Sequence, residues 1–333
     1  MANQDTYGIS TNIREDLSDF IYNISPTDTP LLQAAEWTTA TSTNHEWTED
    51  VLQAPVANNA KAEGAPMATP DAIAGGTRLG NYTQISRKTF GVSGTAEVVT
   101  KVGRDSEIAF GRAKAMRELK TDIDMAIGAG NIAKAAGATG TPRRAASLEC
   151  WVRNANRVGA APATFDGAAT DGLASLATSR AYSQALVDNV IEQAWNNGGR
   201  PSLLVMGGNG RKVFATFDGL GNDAGASTSR TDRSEKTIYG TVDVYISSFG
   251  IDLRAVNSRH LRQQPAPASS GGLVDRDAWL IDPEHLKVAY LRPFEIEEFA
   301  KTGDSIEEAV QAEWTLQVDN TYAHGLVGDL KGT

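Results

Sequence analysis

Hydrophobic positions along the chain change their period several times, and each change predicts an element. Between Asn12 and Ile24, the apolar residues Ile13, Leu17, Phe20, Ile21 and Ile24 recur at helical spacing, with Arg14, Glu15, Asp16, Asp19 and Asn23 on the other face. Thr11 or Asn12 can cap the start, and Ser25-Pro26 ends it because proline cannot continue a helix. Pro30 follows closely, which predicts a rigid, non-helical corner and an extended stretch. So short a helix is marginal alone and needs a surface to lie against.

Two extended runs come next. Thr41 to Leu52 is rich in Thr, holds Trp47 and Val51, and shows no helical period. Leu79 to Thr100 carries Tyr82, Ile85, Phe90, Val92, Val98 and Val99, residues that favour strands. Pro55 to Gly76, rich in Ala, Gly and Pro, separates them. Two strands with a long tip predict a protruding hairpin. Such an arm cannot bury its own apolar surface, so it predicts a neighbouring subunit.

The longest predicted helix starts at Asp105 or Ser106 and runs to about Ala136, with Ala109, Ala113, Met116, Leu119, Ile123 and Ile127 as its stripe. Lys114–Glu118 and Lys120–Asp124 are opposite charges one turn apart. A helix of that length is a rod of ~45 Å. A turn at Gly137 to Arg144 and a loop at Gly159 to Gly172 follow. Ser183 can then cap a helix with Leu186, Val187, Val190, Ile191 and Ala194 inward, closed by Gly198-Gly199 and Pro201. Leu203 to Met206 reads as a buried strand, Asp218 to Ser234 as a loose Gly/Ser/Asp stretch, and Val242, Val244 and Ile246 as an alternating strand. The loop Gln263 to Gly272 leads to the strand Ala278 to Ile281. Finally, Val310, Ala312, Trp314, Leu316 and Val318 face one side while Gln311, Glu313, Thr315 and Gln317 face the other. Glu284 to Val318 therefore predicts an antiparallel sheet lying against the long helix. No internal repeat is present.

Composition narrows the classes. The 333 residues, 41% hydrophobic and 22% charged, are ordinary for a globular protein, and many of the 32 glycines sit in polar stretches that predict extended loops. Lys and Arg number 31 against 41 Asp and Glu, a formal charge of -10. A reader of DNA needs a basic face, whereas an acidic wall can enclose DNA without gripping it. The single cysteine, Cys150, cannot close an intramolecular disulfide, and Leu148, Trp151 and Val152 around it predict a buried, inert thiol. No apolar run reaches the ~18–20 residues of a membrane span, and Met1 to Ser10 has no hydrophobic signal core. The expected place of synthesis is the cytoplasm, up to assembly or lysis.

Candidate chemistry is sparse. His45, His260, His285 and His324 are scattered, none at HxxxH or HExxH spacing, so no metal is expected, and His45 and His324 read as structural hydrogen-bonding residues. Met206-Gly207-Gly208-Asn209-Gly210 follows a strand as a nucleotide-binding turn would, but it lacks both the GxGxxG and the GxxxxGK[ST] spacing. A nucleotide-using enzyme built on Leu203 to Gly210 is the reading from a different class. No GxSxG elbow exists, and the pairs Glu297-Glu298 and Glu307-Glu308 read as solvated faces. No catalytic residue and no cofactor is expected.

Several short motifs occur in one order across the chain. They are Ile24-Ser25-Pro26-Thr27-Asp28-Thr29-Pro30-Leu31, Thr43-Asn44-His45-Glu46-Trp47, Arg117-Glu118-Leu119-Lys120-Thr121-Asp122-Ile123 and Ala194-Trp195-Asn196-Asn197-Gly198-Gly199. Leu291-Arg292-Pro293-Phe294, Ala300-Lys301-Thr302-Gly303-Asp304 and Ala323-His324-Gly325 complete the set. Together they resemble the SU10-type family of phage major capsid proteins, whose α+β fold is named after phage Hong Kong 97 (the HK97-like fold). The resemblance implies an N-arm at residues 1–38, an E-loop hairpin at 39–100, a P domain with a spine helix at 101–179, an A domain at 180–285, and C-terminal P-domain strands at 286–333. It further implies hexamers and pentamers of this chain closing an icosahedral head around double-stranded DNA, without sequence-specific contact and without enzymatic activity. Portal and scaffolding proteins are the implied partners, and decoration proteins a further class.

Some relatives begin with a long helical scaffolding segment that a protease removes. Patterned sequence here starts by Asn12, so either a separate scaffold or earlier removal is expected. Phe20, Trp47 and Phe90 are the expected anchors between subunits, since buried aromatics dominate such interfaces. Trp37 and Trp314 read equally well as core. Lys61, Lys88 and Asn320 are the residue types for isopeptide cross-links, but no cross-linking motif surrounds them. A cellular encapsulin-type compartment, which shares the fold and encloses enzymes, is the alternative.

Overall fold

The computed structural model describes residues 28–64, 75–99, 105–128, 131–170, 172, 178–215, 217, 244–247, 249–261, 263–265, 273–301 and 303–331. The predicted helix Asn12 to Ile24, with Phe20, and the stretch Asp218 to Ser234 lie outside these residues.

Helix α1 (Pro30–Ala34) opens the described chain. Pro30 stands at its first position, where a missing N–H costs nothing, so the predicted non-helical corner is instead a helical turn. Strands β1 (Glu36–Thr39), β2 (Asn44–Glu49), β3 (Thr77–Tyr82) and β4 (Gln84–Ser93) follow, then α2 (Gly94–Val98). The run expected as one strand from Leu79 is thus broken at buried Thr83, and only its first part joins the hairpin β2–β3. Its end is helical because the Ser93 hydroxyl accepts the Ala96 N–H at 3.2 Å and caps a turn.

Helix α3 (Glu107–Gly128) is the predicted rod, shortened. Its end falls where Gly128 and Gly130 weaken helix propensity and Asn131 turns with φ +38°. Residues 131–136 are not helical; Ala135 bridges to Arg144 instead. The stripe is also narrower than expected: Leu119, Ile123 and Ile127 are buried with Ala115, while Ala109 and Ala113 are exposed. Only the C-terminal half of the rod lies over the core.

Beyond a 3-10 turn at Leu148–Cys150 come β5 (Asn154–Asn156), β6 (Arg180–Ala181), α4 (Gln184–Asn196), β7 (Leu203–Met206) and α5 (Gly208–Phe214). Cys150 is buried, its thiol directed to the Ile132 carbonyl at 3.3 Å. The chain continues through β8 (Val244–Ile246), β9 (Asp252–Asn257), β10 (Gln263–Pro265), β11 (Leu273–Asp275) and β12 (Ala278–Ile281). It ends with β13 (Leu286–Glu298), β14 (Ser305–Val318), β15 (Gly325–Val327) and β16 (Leu330–Lys331). In β8 the alternation is opposite to expectation: Tyr245 is buried, and Val244 and Ile246 are exposed. An edge strand with one packed face needs only one inward side chain here.

Two sheets organise these elements. One has the order β1-β13-β14-β4, with α3 packed on it. Strand β14 is paired on both sides, and its polar side is buried as well as its apolar side. The second has the order β5-β15-β12-β7-β9-β8 and serves as a wall between two cores. Val205, Trp279, Ile281 and Leu326 enter the core that also holds α3 and β14. Their neighbours Leu204, Met206, Ala278, Leu280 and Val327 enter the core built on α4 and α5. Alternation along each strand makes one sheet serve both.

Candidate assembly surfaces

The hairpin β2–β3 is fastened at its root. Its register runs from Asn44 opposite Tyr82 to Glu49 opposite Thr77. His45 Nε2 lies 2.7 Å from Gln317 Oε1, and Asn81 donates to the Leu316 carbonyl at 2.8 Å. The Ala146 N–H in turn donates to Asn81 Oδ1 at 2.9 Å. Glu49, buried at the end of β2, accepts both the N–H and the hydroxyl of Thr321 at 2.8 Å. Lys134 Nζ donates to the Gly80 carbonyl at 2.8 Å. Past Glu49 this ends: residues 50–64 are exposed, carry no regular structure, and present Val51, Val56 and a Leu52 that is 93% exposed.

The expected anchors are placed as follows. Trp47 is half-buried and stacks on Trp151 of its own chain, ring centres 5.2 Å apart. Phe90 is half-buried against α3, its ring so close that a Cβ on Gly111 would stand 2.7 Å from it. Phe20 lies outside the described residues. Trp314 is core, with its Nε1 donating to Ser86 Oγ at 3.0 Å. Trp37 is not core: it is 66% exposed on edge strand β1, stacked on Tyr290 at 5.1 Å.

Further apolar groups at the surface were not expected as contacts from the sequence. Trp195 and Phe249, 5.7 Å apart, line a hollow of about 270 Å³ with Gly198, Gly199 and Arg200. Trp195 falls one position past Ala194, off the buried stripe of α4, and that offset was the available signal. Val98 and Val99 after β4 are likewise exposed.

Buried charges hold the scaffold behind these surfaces. Glu308 was expected in water, but it is buried and its carboxylate meets Arg112 of α3. Glu313 accepts from Thr83 Oγ1 at 2.8 Å, Arg143 Nη2 at 2.6 Å and Arg292 Nε at 2.9 Å. Against the cost of its burial, the hydroxyl and the two guanidinium groups hold its carboxyl below the ordinary value. Arg276 and Asp329 form a buried ion pair at 2.8 Å. Lys120 does not pair with Asp124: it lies over the Phe294 ring at 5.8 Å, and Asp124 points inward to α1.

The Met206–Gly210 turn has its anion already. The Asp275 carboxylate lies over it and accepts the Asn209 N–H at 3.1 Å, so close that a Cβ on Gly207 would be 1.9 Å from Asp275 Cγ. A phosphate would meet that carboxylate where it needs amides. Among the described residues, no group of three or more His, Cys, Asp or Glu is placed to hold a metal ion.

The family model described as "SU10 major capsid protein" matches residues 2–331. The chain belongs to that family. A "Major capsid protein" of Escherichia phage Phieco32 is 31% identical over 107 residues, a match spanning 32% of this chain and 30% of that protein. Among solved structures, the "Cyanophage A-1(L) capsid asymmetric unit" superposes with a TM-score of 0.64 at 12% identity over 98% of both chains. A chain from Mycobacterium phage Bobi gives 0.60 at 13% identity over 100% of both. The "Capsid structure of the Cyanophage P-SCSP1u" gives 0.60 at 10% identity, covering 100% of this chain and 97% of that one. At such identities the likeness shows the fold, which is the HK97-like α+β fold of phage capsids. For this major capsid protein the family favours a phage head over a cellular compartment.

Proposed function

We propose that this chain is the repeating unit of an icosahedral phage head, forming rings of six and five subunits that close around double-stranded DNA. The observation that carries the reading is the hairpin fastened at its root with an apolar, exposed tip. A tip bearing Leu52, Val51 and Val56 in water gains by lying on a neighbour. Head-to-tail contacts in a ring join two different surfaces, and arms add area that a compact body lacks.

In this reading residues 1–38 are the N-arm and 39–100 the E-loop, residues 101–179 and 286–333 form the P domain, and residues 180–285 form the A domain. Phe20 keeps its expected place between subunits. Trp47 and Phe90, which have partners in their own chain, contribute by bracing the arm, and the tip supplies the contact. Portal and scaffolding proteins are the partners, decoration proteins a further class, and assembly takes place in the host cytoplasm. The charge of -10 suits a wall that does not trap DNA during filling. The reading requires no enzymatic step.

Negative-stain electron microscopy of the purified chain is the test. Closed shells, tubes or uniform rings are expected, with the scaffolding protein added if the chain alone gives small particles. A chain that stays monomeric with its scaffold present would overturn the proposal.

A further inference from the structure

Asp124 sits where α1, arriving from the N-terminal segment, crosses the last turns of α3. Its Oδ1 accepts the Leu32 N–H at 2.9 Å, and the Leu31 N–H points to the same carboxyl. Thr29, the cap residue of α1, accepts no backbone N–H of the helix on its side chain; its hydroxyl meets only the Gln33 side chain, at 3.5 Å. The cap is therefore supplied from another helix by a fully buried carboxylate. The seat is tight: a Cβ on Gly128 would lie 2.1 Å from Leu31 Cδ1. Asp124 Oδ2 is buried without a hydrogen-bond partner.

Most charged groups around the joint are engaged elsewhere. Helix α1 carries none. Asp28 ahead of it pairs with Arg259 at 3.9 Å, and both are exposed. His260, whose Nε2 is buried without a hydrogen-bond partner, precedes Leu261, which packs beside Gly128, and is the titratable neighbour to be controlled for. On α3, Lys120 lies over Phe294 and Asp122 pairs with Lys88 at 2.7 Å.

We propose that Asp124 is a proton-operated latch on the root of the N-terminal segment: acid tightens the seat of α1 on α3, and neutral pH loosens it. Seated, the carboxyl is out of water, and burial pushes it up to about 6; unseated, it regains water and its ordinary 3.8. Seating therefore takes up a proton, which Oδ2 has room to carry. The preference is full below the ordinary value and is lost as pH rises through about 6, so seating strengthens about tenfold from pH 8 to pH 5. This holds whether or not the chain builds a shell.

The test is amide hydrogen exchange of residues 28–36 in the full chain from pH 5 to pH 8, corrected for the chemical exchange rate. Protection should fall about tenfold across that range in the wild type and stay flat in Asp124→Asn, whose side-chain oxygen still accepts the cap bond. His260→Gln should keep the wild-type slope. A flat wild type, or an equal slope in Asp124→Asn, overturns the latch. Carbon NMR titration of the Asp124 carboxyl needs no variant: a midpoint near the ordinary value, in place of about 6, overturns it too.

Discussion

Arg112 on the outer side of α3 reaches Glu308 on β14 with its Nε 2.6 Å from the carboxylate, and the two ends of that bond live in different solvents. The Arg112 side chain is 45% exposed and the Glu308 side chain 1%. Losing Glu308 frees an arginine that water already reaches, whereas losing Arg112 abandons a charge in the interior. Arg112→Ala should therefore cost about 2–3 kcal/mol, and Glu308→Gln about 1 kcal/mol or less. Urea melts of the two variants decide the matter. Equal costs would mean that Glu308 finds water or another partner when Arg112 goes.

The stacking of Trp47 on Trp151 shifts the expected effect of Trp47→Ala from subunit contacts to the root of the arm. Removing a half-buried indole there should cost about 2–3 kcal/mol. Trp47→Phe should recover most of it, since a ring still meets Trp151. Denaturant melts report the cost, and chymotrypsin should nick the arm faster in the alanine variant. An alanine variant of unchanged stability that cannot assemble would return Trp47 to the interface between subunits.

The sequence disclosed elements whose burial follows one rule along their length. Strand β14 and helix α4 were legible because their apolar residues keep a strict period. What was hidden depends on partners far away in the chain. Glu308 reads as solvated beside Glu307 until α3 brings Arg112 to it, and Asp124 reads as half of a surface pair with Lys120 until α1 arrives from 92 residues earlier. Asp275 over the Met206–Gly210 turn is the same case. The pairing of β2 with β3 was legible as a hairpin, from the long Ala, Gly and Pro-rich stretch between two extended runs. The contact of Trp47 with Trp151 was not legible, because a tryptophan in a strand looks alike whether its partner is in its own chain or in another subunit.

Two buried groups pull the pH dependence of stability in opposite directions. His324 is fully buried, with its Nδ1 accepting the Asp282 N–H at 3.3 Å, and burial pushes it from 6.5 down to about 4. The unfolded chain then binds that proton first, so stability is full above 6.5 and is lost as pH falls towards about 4, by about 3 kcal/mol. Asp124, raised to about 6, acts in the opposite sense over nearly the same window. Wild-type stability should change little between pH 6.5 and pH 4 on their account. Asp124→Asn removes one arm of the balance and should expose the other as an acid-induced fall in melting temperature. A variant whose melting temperature tracks the wild type at every pH would refute this pairing.

The wall shared by the two cores makes a final prediction about residues 180–285. Excised, that piece keeps α4, α5 and strands β7, β9 and β12, but β12 loses its neighbour β15, and with it β5, since both lie outside 180–285. Val205, Trp279 and Ile281, which now fill the other core, would be turned out into water. Three such side chains are worth roughly 6 kcal/mol of burial. That is comparable with the whole stability of a small domain, about 5–15 kcal/mol. The piece should therefore show no cooperative melt by circular dichroism and should collect as aggregates on gel filtration. A sharp melt from a monomer would establish the 180–285 unit as independent, and the shared sheet would then be a contact made after folding instead of a wall built during it.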